Sequence, residues 1–232
     1  MPIQGSMVVI DSLEAKLPAY VSKPTESKSG TPGLILIHDW WGLGNYVRET
    51  ADRFASSGFV AIAPDLYVGK YAKNTDEAKE LSSAVTPAVA KNFLDSTDVY
   101  LRALDVSRVG ITGFCLGGTI AFQYVCESTE IKAGVFFYAT NLPSDEDLKN
   151  ITSPLLIIYG DQDHSVNPER ANQLEQTLKS LNKDAKLLTY AGAPHAFFNP
   201  ENEKNYRPDA AKDAWEKTLE FFNQRLAQDW QA

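Results

Sequence analysis

Gly113-Phe-Cys-Leu-Gly-Gly118 follows the apolar run Val109-Gly-Ile-Thr112 and precedes the helix-like run Thr119-Ile-Ala-Phe-Gln-Tyr-Val125. A strand, a reactive side chain between glycines, and a helix form the layout of a nucleophile elbow. Such a turn strains the backbone of the nucleophile, so its neighbours must lack bulk at Cβ. Gly113 and Gly117 stand two residues either side of Cys115. The side chain is then presented above the strand end, and the helix N-terminus behind it favours negative charge. The occupant here is a cysteine, which directs the chemistry towards thiolate attack.

Working outward, apolar β-rich runs alternate with helical patterns. Strands are expected near Met7–Ile10, Lys16–Val21, Gly33–Ile37, Val60–Ala63, Val109–Thr112, Gly134–Tyr138, Leu155–Tyr159 and Lys186–Tyr190. Leu34-Ile-Leu-Ile37 and Leu155-Leu-Ile-Ile-Tyr159 are continuously apolar, as parallel strands covered on both faces require. The first two runs are separated only by Asp11-Ser-Leu-Glu14, too short for a crossover helix, and are expected to form an antiparallel hairpin at the sheet edge. Helices are expected at Tyr46–Ser57, Thr75–Val85, Ala88–Ala103, Gly118–Cys126, Pro168–Leu181 and Pro208–Gln228, with Asn167 capping the fifth and Gly58 stopping the first. The alternation predicts a mostly parallel, doubly wound α/β sheet in one domain over residues 1–232.

Composition removes several classes of function. The 232 residues are 44% hydrophobic, ordinary for a globular protein, and no stretch reaches membrane-spanning length. The formal charge of −8, without a dense Lys/Arg cluster, argues against a nucleic-acid partner. Two cysteines, Cys115 and Cys126, supply no disulfide framework and are not spaced as Cys-x-x-Cys. Met1-Pro-Ile-Gln-Gly-Ser6 carries no signal-peptide pattern, so the expected compartment is the cytoplasm. Neither His38/Asp39 nor Asp163/His164 is spaced as a known metal-ligand motif, and no metal or other cofactor is expected.

Strand ends of such a sheet open onto one edge, where residues distant in sequence can meet. Cys115 is followed by an aspartate in Gly160-Asp-Gln-Asp-His164 and then by His195, after Tyr190-Ala-Gly-Ala-Pro194. This nucleophile–acid–base order is that of α/β-hydrolases. Asp161 and Asp163 compete for the acid; the usual place, shortly before a hydrophobic residue and a helix, favours Asp163. His195 would take the thiol proton and return it to the leaving group, while the aspartate fixes its tautomer. His38 and His164 do not fit the base in chain order. Cys126, without glycine flanks, reads as core packing.

Across essentially its full length the chain resembles the dienelactone hydrolase (carboxymethylenebutenolidase) family of the α/β-hydrolase fold. The resemblance rests on GFCLGG around Cys115, HDWWGL at His38–Leu43, RETADRFASSGF at Arg48–Phe59, APDLY at Ala63–Tyr67, GDQDHSV at Gly160–Val166 and the Gly-Ala-Pro-His195 loop. It implies an eight-stranded α/β-hydrolase fold and a Cys115–His195–Asp163 triad that hydrolyses esters or lactones through a thioester acyl-enzyme. It further implies that Asp39, where the family often has glutamate, contacts the resting thiol, and that the N–H groups of Leu116 and Trp40 form the oxyanion hole.

Two arginines that hold the carboxylate of dienelactone in well-known members have no counterpart here. One position falls near Asp65-Leu-Tyr-Val-Gly69 and the other at Asn199; Lys70, Lys73 and Arg207 are the cations that compensation would use. Trp40, Trp41, Tyr67, Phe197, Phe198 and Asn199 are candidate pocket residues. The expected partner is a small ester or lactone, acted on by a monomer. Two rival readings are a dinucleotide site at Thr112–Gly118, which lacks the final glycine of that fingerprint, and a catalytically silent ligand-binding protein on a hydrolase scaffold.

Overall fold

The computed structural model describes residues 1–166 and 168–226. The expected cap at Asn167 and the expected end of the last helix at Gln228 therefore lie outside the described residues. Eight strands make one sheet in the order β1-β2-β4-β3-β5-β6-β7-β8. The chain falls into two compact units, Met1–Ile111 and Thr112–Ala232.

In the first unit, β1 (Ile3–Asp11) and β2 (Lys16–Pro24) form the expected antiparallel hairpin, in continuous register from Ile3↔Pro24 to Asp11↔Lys16. Both strands are longer than the apolar runs, because ladder bonds between backbone groups are indifferent to the polar side chains of Gln4 and Ser6. β3 (Gly33–Ile37) and β4 (Val60–Pro64) are parallel and buried at every position. That burial is the reason for their unbroken apolar sequence. Helix α1 (Asn45–Ser56) buries Tyr46, Val47, Thr50, Ala51, Phe54 and Ala55, one stripe at helical spacing. It ends before Gly58, whose φ of +100° suits the reversal into β4. Helices α2 (Thr75–Ala84) and α3 (Pro87–Ala103) start on side-chain caps, Asn74 accepting from Glu77 N–H and Thr86 from Val89 N–H.

β5 (Val109–Phe114) leads into the second unit and into α4 (Leu116–Glu127). β6 (Ile131–Phe137), β7 (Leu155–Gln162) and β8 (Ala185–Pro194) follow in parallel. β7 and β8 run past the apolar runs that announce them, with a register irregularity between Gly160 and Gln162. A short helix, α5 (Asp145–Leu148), has no apolar periodicity; its signal is the capping box in which Ser144 and Asp147 satisfy each other's backbone N–H groups. α6 (Pro168–Ser180) and α7 (Pro208–Leu226) complete the unit, α7 burying Ala211, Ala214, Thr218, Phe222 and Leu226. No described helix is long and apolar enough to cross a membrane.

Candidate active site

Cys115 lies between β5 and α4 with φ 55° and ψ −113°. Such a backbone costs about 1–3 kcal/mol for a non-glycine residue and persists only where the surroundings impose it. Cys115 N–H donates to Phe137 C=O at 3.0 Å, and Cys115 C=O accepts from Thr119 N–H at 3.0 Å. Gly113 is required by close approach: a Cβ there would lie 2.2 Å from Gly117 C=O. The glycine reading of the elbow is thereby explained sterically. Cys115 is partly exposed, whereas Cys126 is buried and points its sulfur at Phe122 C=O.

The two candidate acids have different partners. Asp163 is buried; Oδ2 accepts from His195 Nδ1 at 2.8 Å and Oδ1 from Ser165 N–H at 2.8 Å. Asp161 is exposed and accepts from Gly192 N–H at 2.7 Å. The imidazole also interacts with the Cys115 sulfur. Burial disfavours the imidazolium, but the bonds and charges of Asp163 and Cys115 outweigh it and raise the His195 pKa to about 10. Asp163 and His195 thus form a hydrogen-bonded pair inside the second unit, with the Cys115 sulfur near enough to the imidazole to interact with it.

The loop around His195 is shaped by rings. Tyr138 meets the imidazole edge-on, with centroids 5.0 Å apart. Phe197 is fully buried against Tyr138 and Tyr190, and Phe198 stacks on Phe114 at 5.4 Å. Both phenylalanines are buried side chains that support the loop. Asn199 is likewise buried; its Oδ1 accepts from Glu201 N–H at 2.9 Å and shapes the turn. Arg207 donates to three carbonyls, those of Gly192, Lys204 and Tyr206. Tyr138, φ 40°, was not singled out by sequence, since nothing in its apolar strand distinguishes it from a core residue.

In the first unit, Asp39 is buried after β3 and accepts from Trp41 N–H at 2.9 Å and Tyr46 O–H at 3.0 Å. Trp40 donates its indole N–H to Ser82, and its carbonyl accepts from Tyr67 O–H at 3.0 Å. Tyr67 is buried, while Trp41 is half-buried. His38 is enclosed: Nδ1 donates to Asp39 C=O at 2.7 Å and Nε2 accepts from Leu66 N–H at 3.1 Å. Burial pushes its pKa down despite those partners, so the neutral ring ties the ends of β3 and β4 together. Lys70 lines a cleft of about 330 Å³ with Tyr71, Glu77, Glu80 and Leu81, a lining of mixed charge.

Comparison with known proteins identifies the family. The pattern of the "Dienelactone hydrolase family" matches residues 17–226. "Protein usf" of Aquifex pyrophilus is 35% identical, over 96% of this chain and 99% of its own length. A "Putative carboxymethylenebutenolidase" of Aquifex aeolicus is 31% identical over 96% and 99%. A crystal structure described as a "Putative Dienelactone Hydrolase" from Klebsiella pneumoniae superposes with TM-score 0.90 at 27% identity, covering 97% of this chain and all of the other. With residues 17–226 matched by the family pattern and relatives 31–35% identical over 96% of its length, the chain belongs to the dienelactone hydrolase family.

Proposed function

We propose that this protein hydrolyses carboxylic esters or lactones with Cys115 as nucleophile, His195 as general base and acid, and Asp163 as the group that orients His195. The observation that carries the reading is the Asp163–His195 hydrogen bond beside a cysteine held at positive φ between β5 and α4, whose sulfur interacts with the imidazole. Membership of the dienelactone hydrolase family supports the reaction class.

Each step follows from what these groups can do. His195 takes the thiol proton, and the sulfur attacks the substrate carbonyl carbon to form a C–S bond. The carbonyl electrons move to oxygen. In this reading the oxyanion is received by the N–H of Leu116, at the first position of α4 where no intrahelical acceptor exists. Resemblance to the family implies a second donor in Trp40 N–H and a thiol-activating role for Asp39. Collapse breaks the C–O bond, the alkoxide takes the proton from His195, and a thioester remains; in a lactone the alcohol stays tethered. Water then gives a proton to His195, attacks the thioester and releases the carboxylic acid, and the thiol recovers its proton.

The substrate class follows from charge. With neither family arginine present and Arg207 engaged by backbone carbonyls, uncharged esters and lactones are favoured over carboxylated ones. Cofactor-free turnover by a monomer is part of the proposal.

Purified Cys115→Ala and His195→Ala, assayed on a short aryl ester, are expected to lose at least about a thousandfold in kcat while keeping native circular dichroism. Near-wild-type hydrolysis by either variant refutes the assignment. A wild type that binds esters without turning them over would instead support the silent scaffold. Dienelactone assayed beside an uncharged lactone tests the substrate preference.

A further inference from the structure

His195 sits just beyond β8, flanked by two left-handed residues, Gly192 near the end of that strand at φ 70° and Ala196 in the following loop at φ 61°. Asp163 restrains the ring of His195 but not the backbone that carries it. Proton transfer demands a placement good to a fraction of an ångström, and a shift of 1 Å can cost about a hundredfold in rate. The backbone of this loop must therefore be held by other groups.

We infer that Asp161, Asn205 and Arg207 form a bracket that positions His195. Asn205 Nδ2 donates to His195 C=O at 2.8 Å. The Gly192 peptide is held at both of its polar groups: its N–H donates to Asp161 Oδ1 at 2.7 Å and its C=O accepts from Arg207 Nε at 3.3 Å. Arg207 N–H donates to Phe197 C=O at 3.0 Å, fixing the far side of the loop. Three of the loop's backbone positions are thus gripped from outside the loop.

The bracket is itself anchored. Arg207 C=O accepts from Ala211 N–H at 2.8 Å at the start of α7, so the first turn of that helix fixes the residue whose side chain reaches Gly192. Asn205 is fixed by successive turns, its N–H donating to Asn202 C=O at 2.9 Å and Asn202 N–H to Asn199 C=O at 3.1 Å. Asp161 comes from the end of β7, two residues before the acid. Its role is thereby separated from that of Asp163: one aspartate holds the loop and the other holds the ring. None of the three touches the reacting atoms; they are positioning residues. The inference rests on the proposed role of His195 as base.

The test compares Asn205→Leu, Asp161→Leu and Asp161→Asn in the full chain. Leucine removes the donor or acceptor at similar size, while asparagine at 161 keeps an oxygen acceptor. Asn205→Leu and Asp161→Leu are expected to lower kcat on an aryl ester about ten- to a hundredfold with KM changed less than about twofold. Asp161→Asn is expected to stay within about twofold of wild type. The imidazole NMR resonances of His195 are expected to move in both leucine variants and not in Asp161→Asn. Asp161 is exposed, so its variants test the idea even if Asn205→Leu unfolds. Wild-type kcat with unmoved resonances in folded leucine variants overturns the bracket. Failure of the hydrolase reading would show separately, as an active His195→Ala; the imidazole resonances then decide the bracket alone, moved supporting it and unmoved overturning it.

Discussion

At the scale of single residues the decisive balance is at His195. Burial acts against its cation, and the paired carboxylate and sulfur reverse that effect, giving a proton affinity far above that of free imidazole. A base of this strength beside the sulfur is suited to accept the thiol proton. Both contributions of Cys115 raise the pKa, so Cys115→Ala is expected to bring the His195 midpoint down from about 10. An NMR titration of the imidazole checks this; an unchanged midpoint would detach the sulfur from the histidine. At this scale the sequence was informative about chemistry and silent about partners. Gly160-Asp-Gln-Asp163 offers two carboxylates two residues apart, and only the bonds distinguish them: Asp163 to His195, Asp161 to Gly192. Phe197 and Phe198 follow the histidine in sequence as a pocket lining would, yet their rings turn into the core.

At the scale of elements, the ends of β7 and β8 carry the geometry. Gly160 pairs with Tyr190, and Gln162 pairs with Pro194, bringing the strand ends together beside Asp163 and His195. A Cβ on Gly160 would lie 1.9 Å from Ala193 C=O, a backbone atom that cannot swing aside. Gly160→Ala is therefore expected to force the two strands apart, at a cost of about 1–3 kcal/mol. Because that separation acts next to the Asp163–His195 bond, kcat is expected to fall as well. Urea unfolding and ester turnover measure the two effects, and wild-type values in both would contradict the close-packing argument. The buried strands were legible from sequence, since unbroken apolar runs carry a local physical cause; the caps at Asn74 and Thr86 emerged only with the structure. The extensions of β1, β7 and β8 were not legible either. They consist of polar, small or proline residues paired through their backbones, which leave no trace in hydrophobic pattern.

At the scale of the whole molecule, two histidines set opposite limits on stability. His195 holds its proton more tightly when folded than the ordinary value of about 6.5. Its contribution is complete below about pH 6.5 and is lost as pH rises towards about 10, by at most about 1.4 kcal/mol per pH unit. His38 behaves oppositely. Burial keeps it neutral, so the folded chain resists the proton that the unfolded chain accepts, and its contribution is lost as pH falls below about 6.5. Thermal melts across pH 4–10 are expected to fall on both sides. His38→Asn should flatten the acid limb and His195→Asn the alkaline limb; limbs unaffected by these substitutions would assign them to other groups. The sequence by itself determined the α/β alternation, the edge hairpin and the cysteine elbow, because apolar periodicity and glycine spacing act over a few residues. Tertiary structure alone decided which aspartate meets His195, that Arg207 grips backbone carbonyls, and that the phenylalanines after His195 are core, because each depends on segments distant in sequence being brought within hydrogen-bond or packing distance.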